Sequence, residues 1–167
     1  GAGFIGSHLA DALLERGHRV RVLDNLSEQV HGPSRVFPAY LDREVETVFG
    51  DVRNPHDVER ALAGIDSVFH LAAAVGVGQS MYEIERYTDV NNRGTAVLLE
   101  ALLRHPVAKL VVASSMSLYG EGLYVDSNGR ACEPAPRSAR QLEAGQWEPL
   151  DANGQPLRAV PTPESKA

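Results

Sequence analysis

Apolar positions along this chain change period several times, and each change marks an element. In residues 4–16, Ile5, Leu9, Ala12, Leu13 and Leu14 fall at helical spacing, and Gly17 stops the run. Residues 19–23, "RVRVL", form a short strand pattern that ends at Asp24. A loop containing Gly32, Pro33 and Pro38 follows without a clear period. Residues 45–49 read as the next strand, closed by Gly50 and Asp51. Asn54 then stands as an N-cap with Pro55 at the first helical position, opening a helix to about Ala63. Residues 67–71 are a strand. Residues 82–104 carry Tyr87, Val90, Val97, Leu98, Ala101 and Leu102 on one helical face. Residues 109–113 make the last clear strand, which ends at Ser114 and Ser115.

Alternation of helices with short apolar strands implies a parallel sheet covered by helices on both faces. The predicted fold is therefore α/β, a Rossmann-type doubly wound parallel sheet spanning residues 1–120. The first strand of such a sheet is central, and here it is expected just before Gly1. After residue 120 the helical period disappears, and six of the ten prolines lie between Pro134 and Pro163. The pairs Asn128-Gly129 and Asn153-Gly154 suggest type I′ hairpin turns. Residues 121–163 read as a hairpin-rich insert on the rim of the domain, with a partly disordered loop as the alternative. The second segment, 121–167, is expected to lead towards a further part of a longer protein.

Composition narrows the function classes. The 167 residues are 43% hydrophobic, which fits a globular domain. Sixteen basic against 22 acidic residues give a net charge of −6 without a basic run, against a nucleic-acid partner. The single cysteine, Cys132, excludes an internal disulfide and a cysteine-based metal site, and fits a reducing, cytoplasmic compartment. The longest nearly apolar run, 71–78, is far short of the roughly 18 residues of a membrane helix. Neither a metal nor a membrane is expected.

The chemistry begins with "GAGFIG". Gly1, Gly3 and Gly6 fit G-x-G-x-x-G, where the first glycine makes a tight turn and the second admits a pyrophosphate. The third lets helix and strand pack closely. A helix starts on this turn, and the strand after it ends in Asp24, 18 residues beyond Gly6. An acid there accepts both hydroxyls of an adenosine ribose. A 2′-phosphate about 4 Å away would be repelled by roughly 4 kcal/mol at an effective dielectric near 20. No Arg or Lys between Asp24 and Ser34 offsets this, so NAD is favoured over NADP.

Further motifs follow in order: "GDVRN" (50–54), "HLAAAVGVG" (70–78), "NNRGT" (91–95) and "ASSMSLYG" (113–120). With them the chain strongly resembles the extended short-chain dehydrogenase/reductase family, in its nucleotide-sugar epimerase/dehydratase branch, over residues 1 to about 120. The resemblance implies an NAD site made by Gly1, Gly3, Phe4, Ile5, Gly6, Asp24 and Asn25. It implies that Asp51 and Val52 flank the adenine, that Leu71, Ala72 and Ala73 line the middle of the cofactor, and that Asn91 lies near the nicotinamide side. Ser115 matches the catalytic Ser/Thr position, and Val75 and Ser117 would touch the sugar. His70, Cys132 and Trp147 read as structural. The segment "VASSMSLYGEGLY", with "WEP" and "VPTPESK" in the insert, resembles the dTDP-L-rhamnose 4-epimerase group within that branch.

The family's catalytic base is a Tyr-x-x-x-Lys pair, and this chain departs from it. Four residues after Tyr40, Tyr82, Tyr87, Tyr119 and Tyr124 stand Glu44, Arg86, Asn91, Leu123 and Asn128, so no pair is present. The pair and the sugar-nucleotide subdomain are expected beyond Ala167, and these 167 residues alone are expected to be inactive. The implied parent is an NAD-dependent nucleotide-sugar 4-epimerase acting on a dTDP- or UDP-sugar, a homodimer through the 82–104 helix. Two alternatives stand beside it. A 4,6-dehydratase is disfavoured because Met116-Ser117 replaces the usual Asp-Glu; the other is an NAD-binding module without catalysis.

Overall fold

Helix α1 (Phe4–Leu14) starts directly on the glycine turn, with Gly3 as an N-cap that offers no side chain to the first N–H groups. This is seen in a computed structural model that describes residues 1–166. The chain divides into two units, Gly1–Ala113 and Ser114–Ala167.

In the first unit, strands β1 (Arg21–Asp24) and β2 (Glu46–Phe49) pair in parallel, with Asp24 opposite Phe49. The loop between them contains a short helix, α2 (Glu28–His31), which the sequence pattern does not show. Helix α3 (Pro55–Leu62) begins as expected: the Asn54 side chain accepts from the His56 N–H at 3.0 Å, and proline occupies the first turn. Its last carbonyls, of Ala61 and Ala63, accept from the Arg21 guanidinium at 2.9 and 2.7 Å. Strands β3 (Ser67–His70) and β4 (Lys109–Val112) form a second parallel pair, with Ser67 opposite Lys109.

Between β3 and β4 the chain makes α4 (Val77–Ser80) and then one long helical stretch. It consists of α5 (Ile84–Tyr87), a π-helical turn at Thr88–Arg93, and α6 (Gly94–Arg104). The expected helix 82–104 thus starts two residues later and is interrupted by the π turn. The Thr95 hydroxyl donates to the Asn91 carbonyl at 2.6 Å, a side-chain bond that competes with regular helical pairing at this point.

The two strand pairs share no hydrogen bonds. They share a helical layer instead: Val58 and Leu62 of α3 and Leu98 and Ala101 of α6 pack against Leu23, Val68 and Leu110. On the other face of β1, Val22 is buried with Ala2, Ala10, Leu41 and Val45. Parallel strands with helices on both faces make this a Rossmann-type α/β layering.

The second unit contains a 3₁₀ turn (Met116–Tyr119), helix α7 (Ala139–Glu143), and a three-stranded antiparallel sheet. Here β6 (Ala131–Cys132) and β7 (Arg158–Val160) flank β5 (Leu123–Val125). Both Asn-Gly pairs lie in tight turns, but not of type I′. That type needs positive φ at both central residues, whereas only Gly129 and Gly154, each at φ 76°, are positive. In each turn the preceding aspartate decides the geometry. Asp126 Oδ1 accepts from the N–H groups of Asn128 and Arg130, and Asp151 Oδ1 from those of Asn153 and Gln155. The glycine N–H closes back on the aspartate carbonyl at 3.0 Å in both. The glycine therefore forms the left-handed residue after a tight turn instead of its second centre.

Among the described residues no helix is long and apolar enough to cross a membrane, and no three His, Cys, Asp or Glu side chains gather in a metal-binding cluster.

Candidate functional site

Three loops in the first unit leave the carboxyl ends of strands: Asp24-Asn25 after β1, Asp51-Val52 after β2, and Leu71 to Ala73 after β3. In open α/β sheets this end is where ligands bind. The glycine turn lies against the first of these loops. A Cβ added to Gly6 would fall 1.8 Å from the Gly1 carbonyl oxygen, and one on Gly1 would fall 2.7 Å from the Leu23 carbonyl oxygen. Only glycine lets the turn fold back so closely on itself and on β1. At Gly3 the corresponding direction is open, with Val30 Cγ1 nearest at 3.9 Å. The first N–H groups of α1 have no side-chain cap. They and the helix dipole form an anion cradle that a side chain at Gly1 or Gly6 would destroy, so the residues present fit a dinucleotide pyrophosphate. Phe4 and Ile5, in that first turn, are exposed.

Asp24 sits where the expectation placed it, and its carboxylate is already engaged by main chain. Oδ2 accepts from the Gly1 nitrogen at 2.6 Å and the Ala2 N–H at 2.8 Å, and Oδ1 accepts from the Leu26 N–H at 2.8 Å. The His31 imidazole lies 3.4 Å from Oδ1, with its side chain only 4% exposed. Burial raises the Asp24 carboxyl, but the donors at Gly1, Ala2 and Leu26 outweigh it, and the group is held below its ordinary value.

Asn25 donates to Asp51 Oδ2 at 3.0 Å, joining the loops after β1 and β2. Arg53 grips both Asp51 oxygens, at 2.9 and 2.7 Å, and reaches Asp89 at 2.7 Å. That bidentate bond holds Asp51 far below the usual carboxylate range against the effect of burial. Val52 packs on α6, where a Cβ at Gly94 would come within 2.7 Å of its Cγ1. The glycine of "NNRGT" thus permits a close helix approach.

Asn91 uses both ends of its amide on one loop residue: its Oδ1 accepts from the Ala74 N–H at 2.7 Å, and its Nδ2 donates to the Ala74 carbonyl at 3.1 Å. It therefore fixes the loop that follows Leu71, Ala72 and Ala73. Behind it, His70 Nε2 lies 2.9 Å from the Thr95 hydroxyl. That hydroxyl gives its one proton to Asn91, so His70 Nε2 is the donor. Burial lowers the His70 pKa and so disfavours the charged ring. Val75, next in the loop, is exposed.

Ser115 belongs to the second unit, where it caps its own turn. Its Oγ accepts from the Ser117 N–H and donates to the Ser117 hydroxyl, both at 3.1 Å.

These shifts set a pH dependence. Asp24, Asp51 and Asp89 all have folded values below the unfolded one. The unfolded state therefore binds more protons in acid, and stability is lost as the pH falls through the carboxylate range. His70, lowered by burial, acts in the same direction below about 6.5. The melting temperature is expected to fall as the pH drops from about 7 to about 3. Thermal unfolding at a series of pH values tests this, and a level or rising melting temperature would contradict it.

Arg53, His31, Tyr40 and the polar residues of α2 escaped the sequence reading. Tyr40 donates to the Ala2 carbonyl at 2.9 Å and so steadies the glycine turn from a loop without periodicity. Only Arg53 had a local signal, a base two residues after Asp51.

Residues 1–140 match the NAD dependent epimerase/dehydratase family. The chain is 37% identical over 152 residues to a dTDP-L-rhamnose 4-epimerase of Burkholderia thailandensis, covering 89% of this chain and 42% of that protein. Among solved structures it is similar to a Thermus thermophilus UDP-glucose 4-epimerase in complex with NAD. The TM-score is 0.61 at 32% identity, over 99% of this chain and 45% of that one. A dTDP-glucose 4,6-dehydratase from Streptomyces venezuelae with NAD bound is also similar, with a TM-score of 0.61 at 32% identity. That match covers 72% of this chain and 39% of the dehydratase. The chain thus spans about two fifths of the length of these relatives.

Proposed function

Because the chain belongs to the NAD-dependent epimerase/dehydratase family, we propose that it forms the cofactor half of a nucleotide-sugar 4-epimerase. The observation that carries this reading is the glycine cradle set against Asp24 at the end of β1. Gly1, Gly3 and Gly6 with the N–H groups of Phe4 and Ile5 hold the pyrophosphate of NAD. Asp24 takes the adenosine ribose, with Asn25 beside it, and Asp51 and Val52 border the adenine. Leu71, Ala72 and Ala73 line the middle of the cofactor. Asn91 acts on that site through Ala74, holding the lining loop in place.

NAD bound there would supply the hydride acceptor and donor for oxidising C4 of the sugar and reducing the 4-keto sugar from its other face. Ser115 hydrogen-bonds the reacting hydroxyl, with Val75 and Ser117 next to the sugar. None of the tyrosines here is followed by lysine at the fourth position, so these residues supply no Tyr-x-x-x-Lys base. A dTDP-sugar is the preferred substrate class, supported by the 37% identity to a dTDP-L-rhamnose 4-epimerase. A 4,6-dehydratase is the second reading, favoured by the dehydratase among the structural neighbours. The exposed Ala96, Leu99 and Leu103 on α6 would serve a dimer contact.

The experiment is calorimetric titration of the full-length enzyme with NAD and NADP, followed by product analysis with dTDP- and UDP-hexoses. NAD is expected to bind at least tenfold more tightly than NADP. Asp24→Ala narrows that gap, because it removes the repulsion of the 2′-phosphate along with the ribose hydrogen bonds. Equal affinities in the unaltered protein would overturn the role of Asp24, and a 4-keto-6-deoxy product would select the dehydratase.

A further inference from the structure

A ring of polar side chains joins the loops after β1 and β3, and no step of the proposed reaction uses it. Gln29 of α2 donates to Gln79 Oε1 at 3.1 Å, and Gln79 of α4 donates to Glu83 at 2.9 Å. Glu83 pairs with Arg86, and Arg86 closes the ring by donating to Gln29 Oε1 at 3.0 Å. The Tyr87 hydroxyl adds a donor to Gln79 at 3.0 Å. Residue 29 is 50 positions from 79 and 57 from 86, so the ring is made by tertiary structure alone.

Its place is as informative as its closure. Val30, beside Gln29, is the nearest group to the open side of Gly3, where the pyrophosphate cradle lies. Gln79 comes from α4, beyond Leu71 to Ala73 at the carboxyl end of β3. The ring therefore ties the loop after β1, beside the glycine turn, to the loop after β3, across the end of the strands where ligands bind. Its hydrogen-bonding groups are also filled from within: both ends of the Gln29 and Gln79 amides have partners among Gln79, Glu83, Arg86 and Tyr87. Such a ring offers a cofactor little direct contact.

We propose that Gln29, Gln79, Glu83 and Arg86 form a gate across the dinucleotide crevice, which must open for NAD to enter or leave. The inference rests on the reading of this unit as an NAD site. A gate that makes no contact with the cofactor changes both rates alike and leaves affinity alone. Because the bonds form one closed ring, losing one member opens the whole, and two losses are no worse than one.

The test is stopped-flow measurement of NAD association and of NAD release into excess competing NADH, in the full-length enzyme. Gln29→Leu and Gln79→Leu keep side-chain size while removing the amide, and their unfolding midpoints check that they remain folded. Each is expected to raise both rates about tenfold with Kd within about twofold, and the double variant to match the singles. Unchanged rates in variants of a protein that binds NAD would overturn the gate alone. So would a change in Kd carried by release only, since that is the mark of a direct contact. An unaltered enzyme that binds no NAD would overturn the cofactor reading and the gate together.

Discussion

Gly6→Ala is expected to weaken NAD binding by at least a hundredfold. The added Cβ would stand 1.8 Å from the Gly1 carbonyl oxygen and 2.8 Å from its carbonyl carbon. Both are main-chain atoms of the same tight turn, so no flexible side chain can move aside. The turn must open, and the cradle of N–H groups at the start of α1 opens with it. Gly3→Ala is the informative control, because a Cβ there meets only Val30 Cγ1 at 3.9 Å. It leaves the apo fold intact and hinders only the approach of a pyrophosphate. Titration of NAD into both variants, with unfolding midpoints recorded alongside, separates a broken turn from a blocked approach. Wild-type affinity in Gly6→Ala would refute the assignment of this turn as the cradle.

The second large effect is expected at Ser115. In the full-length enzyme Ser115→Ala should lower kcat about 10²-fold, the usual cost of losing one donor to charge that develops in the transition state. Cofactor affinity should change little, which distinguishes a transition-state residue from one that shapes the binding site. The hydroxyl also accepts from the Ser117 N–H as the cap of the Met116–Tyr119 turn. Some loss of local stability is therefore expected with the alanine. Ser115→Thr restores a hydroxyl and is expected to recover most of the turnover. Full activity in Ser115→Ala would transfer the role to Ser117, whose hydroxyl lies 3.1 Å away.

Much of the first unit was legible in the chain itself, because its elements announce themselves locally. Helical spacing of Leu9, Leu13 and Leu14, the Asn54-Pro55 start and the short valine-rich runs each reflect main-chain bonding within one element. The strands came within two residues of their observed ends. Helix α2 was missed for a physical reason: four residues make barely one turn, too few for a period, and the loop that follows it carries Pro33 and Pro38. The Asn-Gly turns were found but mistyped. The dipeptide allows two turn geometries, and the aspartate two residues before it selects one through its carboxylate.

The candidate site divides in the same way. Sequence alone determined the glycine turn, the acid at the end of β1, the order of motifs and hence the family, since these depend on residue type at fixed short spacing. It placed Asn91 on a helix, yet gave no sign that its amide would hold Ala74. Tertiary structure decided which polar groups meet across loops: Arg53 on Asp51 and Asp89, His31 beside Asp24, and the ring from Gln29 to Arg86. Such partners lie tens of residues apart and have many equivalents along the chain. Only the packing of α3 and α6 beneath the strands brings the loop ends close enough for a hydrogen bond to choose among them.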